Sequence, residues 1–284
     1  MAVQERNNRL EGSELEKHYP GFAAIVRKVG GVTSKRFAEF RPNVEAIIPP
    51  IFLCDSRLLY QQIDTVNRGS RYEKNARREY AAFRPLEGVV YGARDDIGQA
   101  LRSGRAGRER MTMVIAEEFI HALSTVEENG LTRCGFIALP GPMRPHNLQP
   151  GQIYEYDLIP HVQTPGRPTR IDAKQLRLTE NATLLAVHLL LGELGIDKDG
   201  QFPLVFITSR SIRPKFLLCR QPAHMITDKN ETLLRDVIAA LSTGNRDILK
   251  VLLDGNLFPI LESAHCEIAS LTDVLRGRKP KIYV

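Results

Sequence analysis

Hydrophobic and polar positions divide this chain into stretches of different period. Residues 1–45 are mostly polar, with helical signals at 14–17 and 21–28. Pro20 and the Gly30-Gly31 pair bracket the second. They predict a small helical arm. Residues 46–60, AIIPPIFLCDSRLLY, turn apolar and read as a strand that starts after Pro49-Pro50, since proline cannot donate to a ladder. Asp55-Ser56 then suits the cap of a helix over 57–66. A charged stretch at 71–83 reads as a further helix. EGVVY at 87–91 is a short β-branched strand, and 97–102 a short helix followed by a loop at 103–107.

The clearest helical pattern is MTMVIAEEFIHALSTVEENG, residues 111–130. Met111, Val114, Ile115, Ile120 and Leu123 give an apolar surface broad enough for a buried helix. Thr112 suits its N-cap, and Asn129-Gly130 its stop. Beyond it, CGFIALP and QIYEYDLIPHV are strand-like, separated by the rigid PGPMRPHNLQPG. TPGRPTR at 164–170 is the best linker. NATLLAVHLLLGEL is helical, FPLVFITS is a strand, and 231–241, 247–253 and 260–275 are helical. The expected organisation is an arm over 1–45, an α+β core over 46–165, and a mixed, mainly helical region over 166–284.

Charge changes this picture in one place. From Arg68 to Arg110 eleven basic residues face six acidic ones, an excess of five within a net charge of +6. Arg71, Lys74, Arg77, Arg78, Arg105, Arg108 and Arg110 are its candidate nucleic-acid-binding residues, because phosphate is attracted to such a field. Interleaved acids such as Glu79 and Glu109 fit a solvated face equally well. Four scattered cysteines make no C-x-x-C pair, which argues against zinc fingers and thioredoxin-like chemistry. No apolar run approaches the roughly 20 residues of a membrane span. The polar N-terminus carries no signal-peptide pattern, so a cytoplasmic location is expected. G-x-S-x-G, P-loop and G-x-G-x-x-G motifs are missing.

The candidate chemistry lies in the 111–130 helix. Glu117 and His121 are four apart and so share one face, one turn apart, with Glu118 on the adjoining side. This is the spacing of the HExxH metalloprotease helix, with Glu117 where the first histidine stands. A carboxylate there makes the metal shell more anionic and moves its preference from zinc towards manganese or magnesium. A second Glu-x-x-His, Glu262 to His265, raises a di-iron carboxylate reading, but the strand- and Pro-rich chain between them is poor material for a four-helix bundle. Glu117, Glu118 and His121 also fit a plain charged helix face with a packed histidine.

AEEFIHAL resembles the AHELGH block of the ImmA/IrrE family of zinc metallopeptidases, of which some phage-type relatives carry AEELGH. It is also similar to the HEFGHA helix of lethal-factor-like and type III effector proteases. The resemblance covers residues 86–128. It implies a zincin-like core, a small mixed sheet packed on the motif helix, with an edge strand lining the substrate groove. It further implies a divalent metal, zinc first, held by Glu117 and His121, with Glu118 as general base and a protein as substrate or regulatory partner. Glu127 stands where an extended zincin motif puts its third ligand, although Ser124 replaces that motif's turning glycine. Glu155, His146 and His161 are later alternatives. Two other classes compete with the peptidase: a basic nucleic-acid-binding or regulatory module, and a non-catalytic interaction protein.

Overall fold

The computed structural model describes residues 7–56, 80–156, 173–196, 204–207, 216–219 and 229–251. In chain order the elements begin with strand β1 (Asn7–Arg9), helices α1 (Gly12–His18) and α2 (Phe22–Phe37), and a 3-10 turn at Val44–Ile47. Strands β2 (Ile51–Cys54), β3 (Ala81–Arg84) and β4 (Val89–Ala93) precede helices α3 (Arg94–Arg102) and α4 (Arg105–Leu123). Next come β5 (Thr125–Glu128), β6 (Leu131–Cys134), β7 (Ile137–Leu139) and β8 (Ile153–Tyr156). Helix α5 (Ala173–Leu190), strands β9 (Leu204–Ile207) and β10 (Phe216–Cys219), and helices α6 (Lys229–Thr243) and α7 (Arg246–Val251) follow. The fold is mixed α+β. Among the described residues no helix is long and apolar enough to cross a membrane.

The main sheet has the order β1-β8-β2-β4-β3. Strand β2 runs parallel to both β4 and β8, whereas the outer strands β1 and β3 are antiparallel to their neighbours. Every residue of β2 and β4 is buried, as uninterrupted apolar strands require when both faces are covered. Alternation sends Ile51, Leu53, Val90 and Ile153 into the main helical core. The opposite face carries Phe52, Cys54, Val89, Tyr91, Ala93 and Tyr154, with Phe52 stacked on Tyr91 at 5.6 Å between ring centroids. Burial pushes the Cys54 thiol up to about 12, with nearby Asp55 acting in the same direction.

Helix α4 runs through the middle of the helical layer. Met111, Ile115, Phe119, Ile120 and Leu123 have no exposed surface. The first 45 residues contribute to the same core: β1 pairs with β8, and Phe22, Val29 and Phe37 of α2 pack into it. Helix α2 continues past Gly30-Gly31, where the sequence predicted its end. A Cβ on Gly30 would lie 3.0 Å from Ile48 and 3.7 Å from Phe119 of α4, so the residue that weakens the helix is also the one that admits its neighbour.

Three further expectations are corrected. The helix predicted over 71–83 is extended at its end: Ala81–Arg84 is edge strand β3. Arg84 precedes Pro85, which disfavours helix at 84 and cannot itself continue one. The loop predicted at 103–107 is only a break at Gly104, φ 91°, and α4 starts at Arg105. Thr112 is therefore inside the helix, its hydroxyl donating to the Arg108 carbonyl at 2.9 Å, rather than capping it. The helix predicted over 57–66, the linker at 164–170 and the helix over 260–275 lie outside the described residues.

The junction of α3 and α4 depends on Gly107. A Cβ there would meet the Ala100 carbonyl oxygen at 1.8 Å and the Ser103 hydroxyl at 2.2 Å. Backbone, not a flexible side chain, is in the way. Gly107→Ala is expected to destabilise the chain by about 2 kcal/mol, within the range for overpacked sites. Chemical denaturation checks it; a loss below about 0.5 kcal/mol, the ordinary surface-mutation range, would show that the helices slide apart freely.

Candidate metal centre

The C-terminal half of α4 carries polar side chains into an apolar setting. Glu118 and His121 are each only 8% exposed. The helix ends at Leu123, two residues after His121 and six before the predicted stop at Asn129. The Ser124 and Thr125 hydroxyls turn back to donate to the His121 carbonyl at 3.0 and 2.7 Å. Arg41 donates to the Leu123 carbonyl at 2.6 Å and also to that of Thr125, satisfying acceptors that a helix end leaves bare. Asn129-Gly130 is not a helix stop but a two-residue hairpin between β5 and β6. Both residues have positive φ, 54° and 73°, as a type I′ turn demands.

This early exit decides the fate of Glu127. The chain does turn after the helix, even with Ser124 in place of glycine. It turns into strand β5, where Glu127 is exposed and its carboxylate accepts the Met143 N–H at 3.1 Å. The expected third ligand is therefore elsewhere. Among the described residues, one group of three donors converges: Glu117, His121 and Glu180, whose ligand atoms all lie within 4.8 Å of one another. Glu180 comes from α5, which packs against α4 within the same core. Its Oε2 is 3.6 Å from His121 Nε2. Two donors on one ion at 2.0–2.2 Å in tetrahedral array stand about 3.4 Å apart, so this spacing suits shared coordination.

Burial disfavours a charged His121 ring, but the Glu180 carboxylate, with Cys134, outweighs it and holds the His121 pKa well above the imidazole range. A cation bound through this ring nitrogen would displace any proton held there.

Glu118 faces a different way. Its Oε2 accepts the Phe83 N–H at 2.6 Å. Phe83 alternates with ladder-bonded residues on β3, so its amide points outward from the sheet edge, and Glu118 covers it. The proposed base is thus tied to the edge strand, one residue along α4 from Glu117.

The other sequence candidates are dispersed. Arg105 pairs with Glu109 at 2.7 Å, Arg110 donates to the Tyr80 hydroxyl at 3.2 Å, and Arg108 lies beside Gly21. Arg71, Lys74, Arg77, Arg78, His161, Glu262 and His265 lie outside the described residues. His146 pairs with Glu87 at 3.6 Å and Glu155 with Arg94 at 3.5 Å, each away from the cluster. Sequence reasoning missed Glu180. It started the later helix at Asn181 or Thr183, and so left the acid just outside. The signal was the polar run Thr179-Glu180-Asn181 just before the apolar stretch; it lies inside the helix, and Thr179 and Asn181 have no exposed surface.

Comparisons with protein-family models, with curated proteins and with solved structures found no match.

Proposed function

We propose that the chain is a metal-dependent, peptidase-like hydrolase acting on a protein substrate, with its ion held by Glu117, His121 and Glu180. The observation that carries this reading is the convergence of those three donors from two helices, within 4.8 Å. Two helical-turn ligands and a carboxylate from a later helix make a three-donor set that leaves further positions for water and substrate. With two carboxylates and one imidazole, the set suits manganese as well as zinc.

A bound divalent ion supplies Lewis-acid polarisation of a water and of a scissile carbonyl. The remaining work belongs to the chain. Glu118, the neighbour of Glu117 on α4, would accept the water's proton. The Phe83 amide holds that carboxylate in place.

The test uses the purified full-length chain, freed of metal and then supplied with manganese or zinc, on a mixture of peptides read by mass spectrometry. New cleavage products that require the ion and vanish with chelator are expected. A chain that takes up an ion but cuts no peptide would remove the peptidase assignment. A chain that takes up no ion would remove the metal centre.

A further inference from the structure

Arg84 ends strand β3 and stands directly opposite Val89 in the β3–β4 ladder, so its side chain leaves the sheet on the face away from the helical core. That face also carries Phe52, Tyr91 and Tyr154. The β3–β4 turn is tight: the Arg84 carbonyl accepts the Glu87 and Gly88 N–H groups at 3.1 and 2.8 Å. The connection before β8 folds over this turn. Arg144 donates its N–H to the Leu86 carbonyl at 2.7 Å, and the His146 ring meets Phe52 edge-on at 5.5 Å. Glu87 is the carboxylate of the turn, and it is engaged elsewhere. Its Oε2 accepts the Tyr91 hydroxyl at 2.7 Å and lies 3.6 Å from His146 Nε2. Arg84 is left over. Its Nη2 is buried and donates to nothing, and none of the described carboxylates forms an ion pair with its guanidinium.

We propose that this face holds a binding site for a single carboxylate group, anchored by the Arg84 guanidinium. A guanidinium keeps its charge at any pH a fold meets, so it cannot escape burial by losing its proton. Burial still pushes its pKa down, and the charge of Glu87 offsets that only in part. A charge so placed costs stability unless an anion pairs with it. Within the turn the anion on offer is Glu87, which Tyr91 and His146 hold. The partner then comes from outside. Its class follows from charge and shape. Arg84 brings one positive charge beside the negative Glu87, too little for a dianionic phosphate but a match for a monoanion. The paired N–H groups of the fork fit the two oxygens of a carboxylate. The buried rings of Phe52 and Tyr91 lower the local dielectric, which strengthens such a pair. Free acids and chain termini share this chemistry. The site stands on the opposite face of the sheet from the helical core that holds Glu117, His121 and Glu180, and does not depend on the metal reading.

Thermal unfolding of the full chain, at constant ionic strength and with chelator present, provides the test. The probes are acetate, benzoate, inorganic phosphate, and one short peptide with its carboxyl terminus free or amidated. A midpoint that rises saturably with a carboxylate and not with phosphate is expected. Stabilisation by the free but not the amidated peptide would name a chain terminus as the source; stabilisation by acetate or benzoate alone would name a free acid. Either supports the site. Arg84→Met is expected to weaken binding by about thirtyfold or more, the loss that follows truncation of one member of a buried charge pair. Arg84→Lys keeps the charge without the fork and is expected to lose most of the binding as well. With no carboxylate present, the methionine variant is expected to unfold at no lower temperature than the wild type, since it removes an unpaired buried charge. The proposal is overturned if no carboxylate raises the midpoint, if phosphate or the amidated peptide raises it as much, or if the Arg84 variants respond like the wild type. A methionine variant that fails to fold, or is much less stable than the ligand-free wild type, would overturn it too, by showing that the fold itself pairs the guanidinium.

Discussion

Replacing Glu180 by alanine is expected to raise the dissociation constant for manganese or zinc by more than about a hundredfold. Changes behind a ligand commonly cost 10- to 100-fold, and loss of the ligand itself should exceed that. Glu180 is the donor that the motif helix cannot supply. Glu117 and His121 are fixed by one turn of α4, but two donors alone do not enclose an ion, and the third comes from α5. Calorimetry with each ion gives the primary measurement. Thermal unfolding gives an independent one. At an ion concentration of about 100 times the dissociation constant, binding stabilises the wild type by roughly 2.7 kcal/mol. In a chain of this size that raises the midpoint by about 5–10 °C. The Glu180→Ala chain should lose this shift. Glu127→Ala should keep it, because Glu127 is engaged with the Met143 amide on β5. Loss of the shift in the Glu127 variant and its retention in the Glu180 variant would reverse the assignment of the third ligand.

The second large effect concerns turnover without binding. Glu118→Gln is expected to lower kcat by about 10² to 10⁴, the usual contribution of a positioned general base, while leaving ion affinity within a few-fold. The substitution is structurally mild. The amide oxygen of glutamine can still accept the Phe83 N–H that Glu118 accepts at 2.6 Å, so β3 stays anchored to α4. What is lost is the capacity to take a proton. Steady-state kinetics on whichever peptide the ion-loaded chain cleaves would measure this. A glutamine variant as active as the wild type would reduce Glu118 to a tether for the edge strand.

The fold and the site were legible to different depths, and particular residues show why. Helix α4 and the shared face of Glu117 and His121 are local patterns: a broad apolar surface and a spacing of four. Strands β2, β4 and β8 likewise follow from short apolar runs between turn residues. Partnership between distant segments leaves no such trace. Nothing in the period of α5 says that Glu180, rather than Glu127, closes the site. The helix end was misplaced because Ser124 and Thr125 could continue or end a helix equally well. Tertiary contacts, with Arg41 donating to the Leu123 and Thr125 carbonyls, accompany the ending. Asn129-Gly130 was recognised as a stop, yet the same two left-handed residues serve a hairpin when β-branched residues such as Thr125 and Val126 precede them.

The order of the main sheet has a consequence for how the chain acquires its shape during synthesis. Strand β8 lies between β1 and β2, so the amino-terminal strand has no neighbour to pair with until residues near 156 have been made. Through that interval one side of β2 is a bare row of amide and carbonyl groups, the kind of surface that captures other extended segments. Pairings so far apart along the chain are slow to form, because the intervening loop must close first. The ribosome must therefore release more than half of this protein before its central sheet can close.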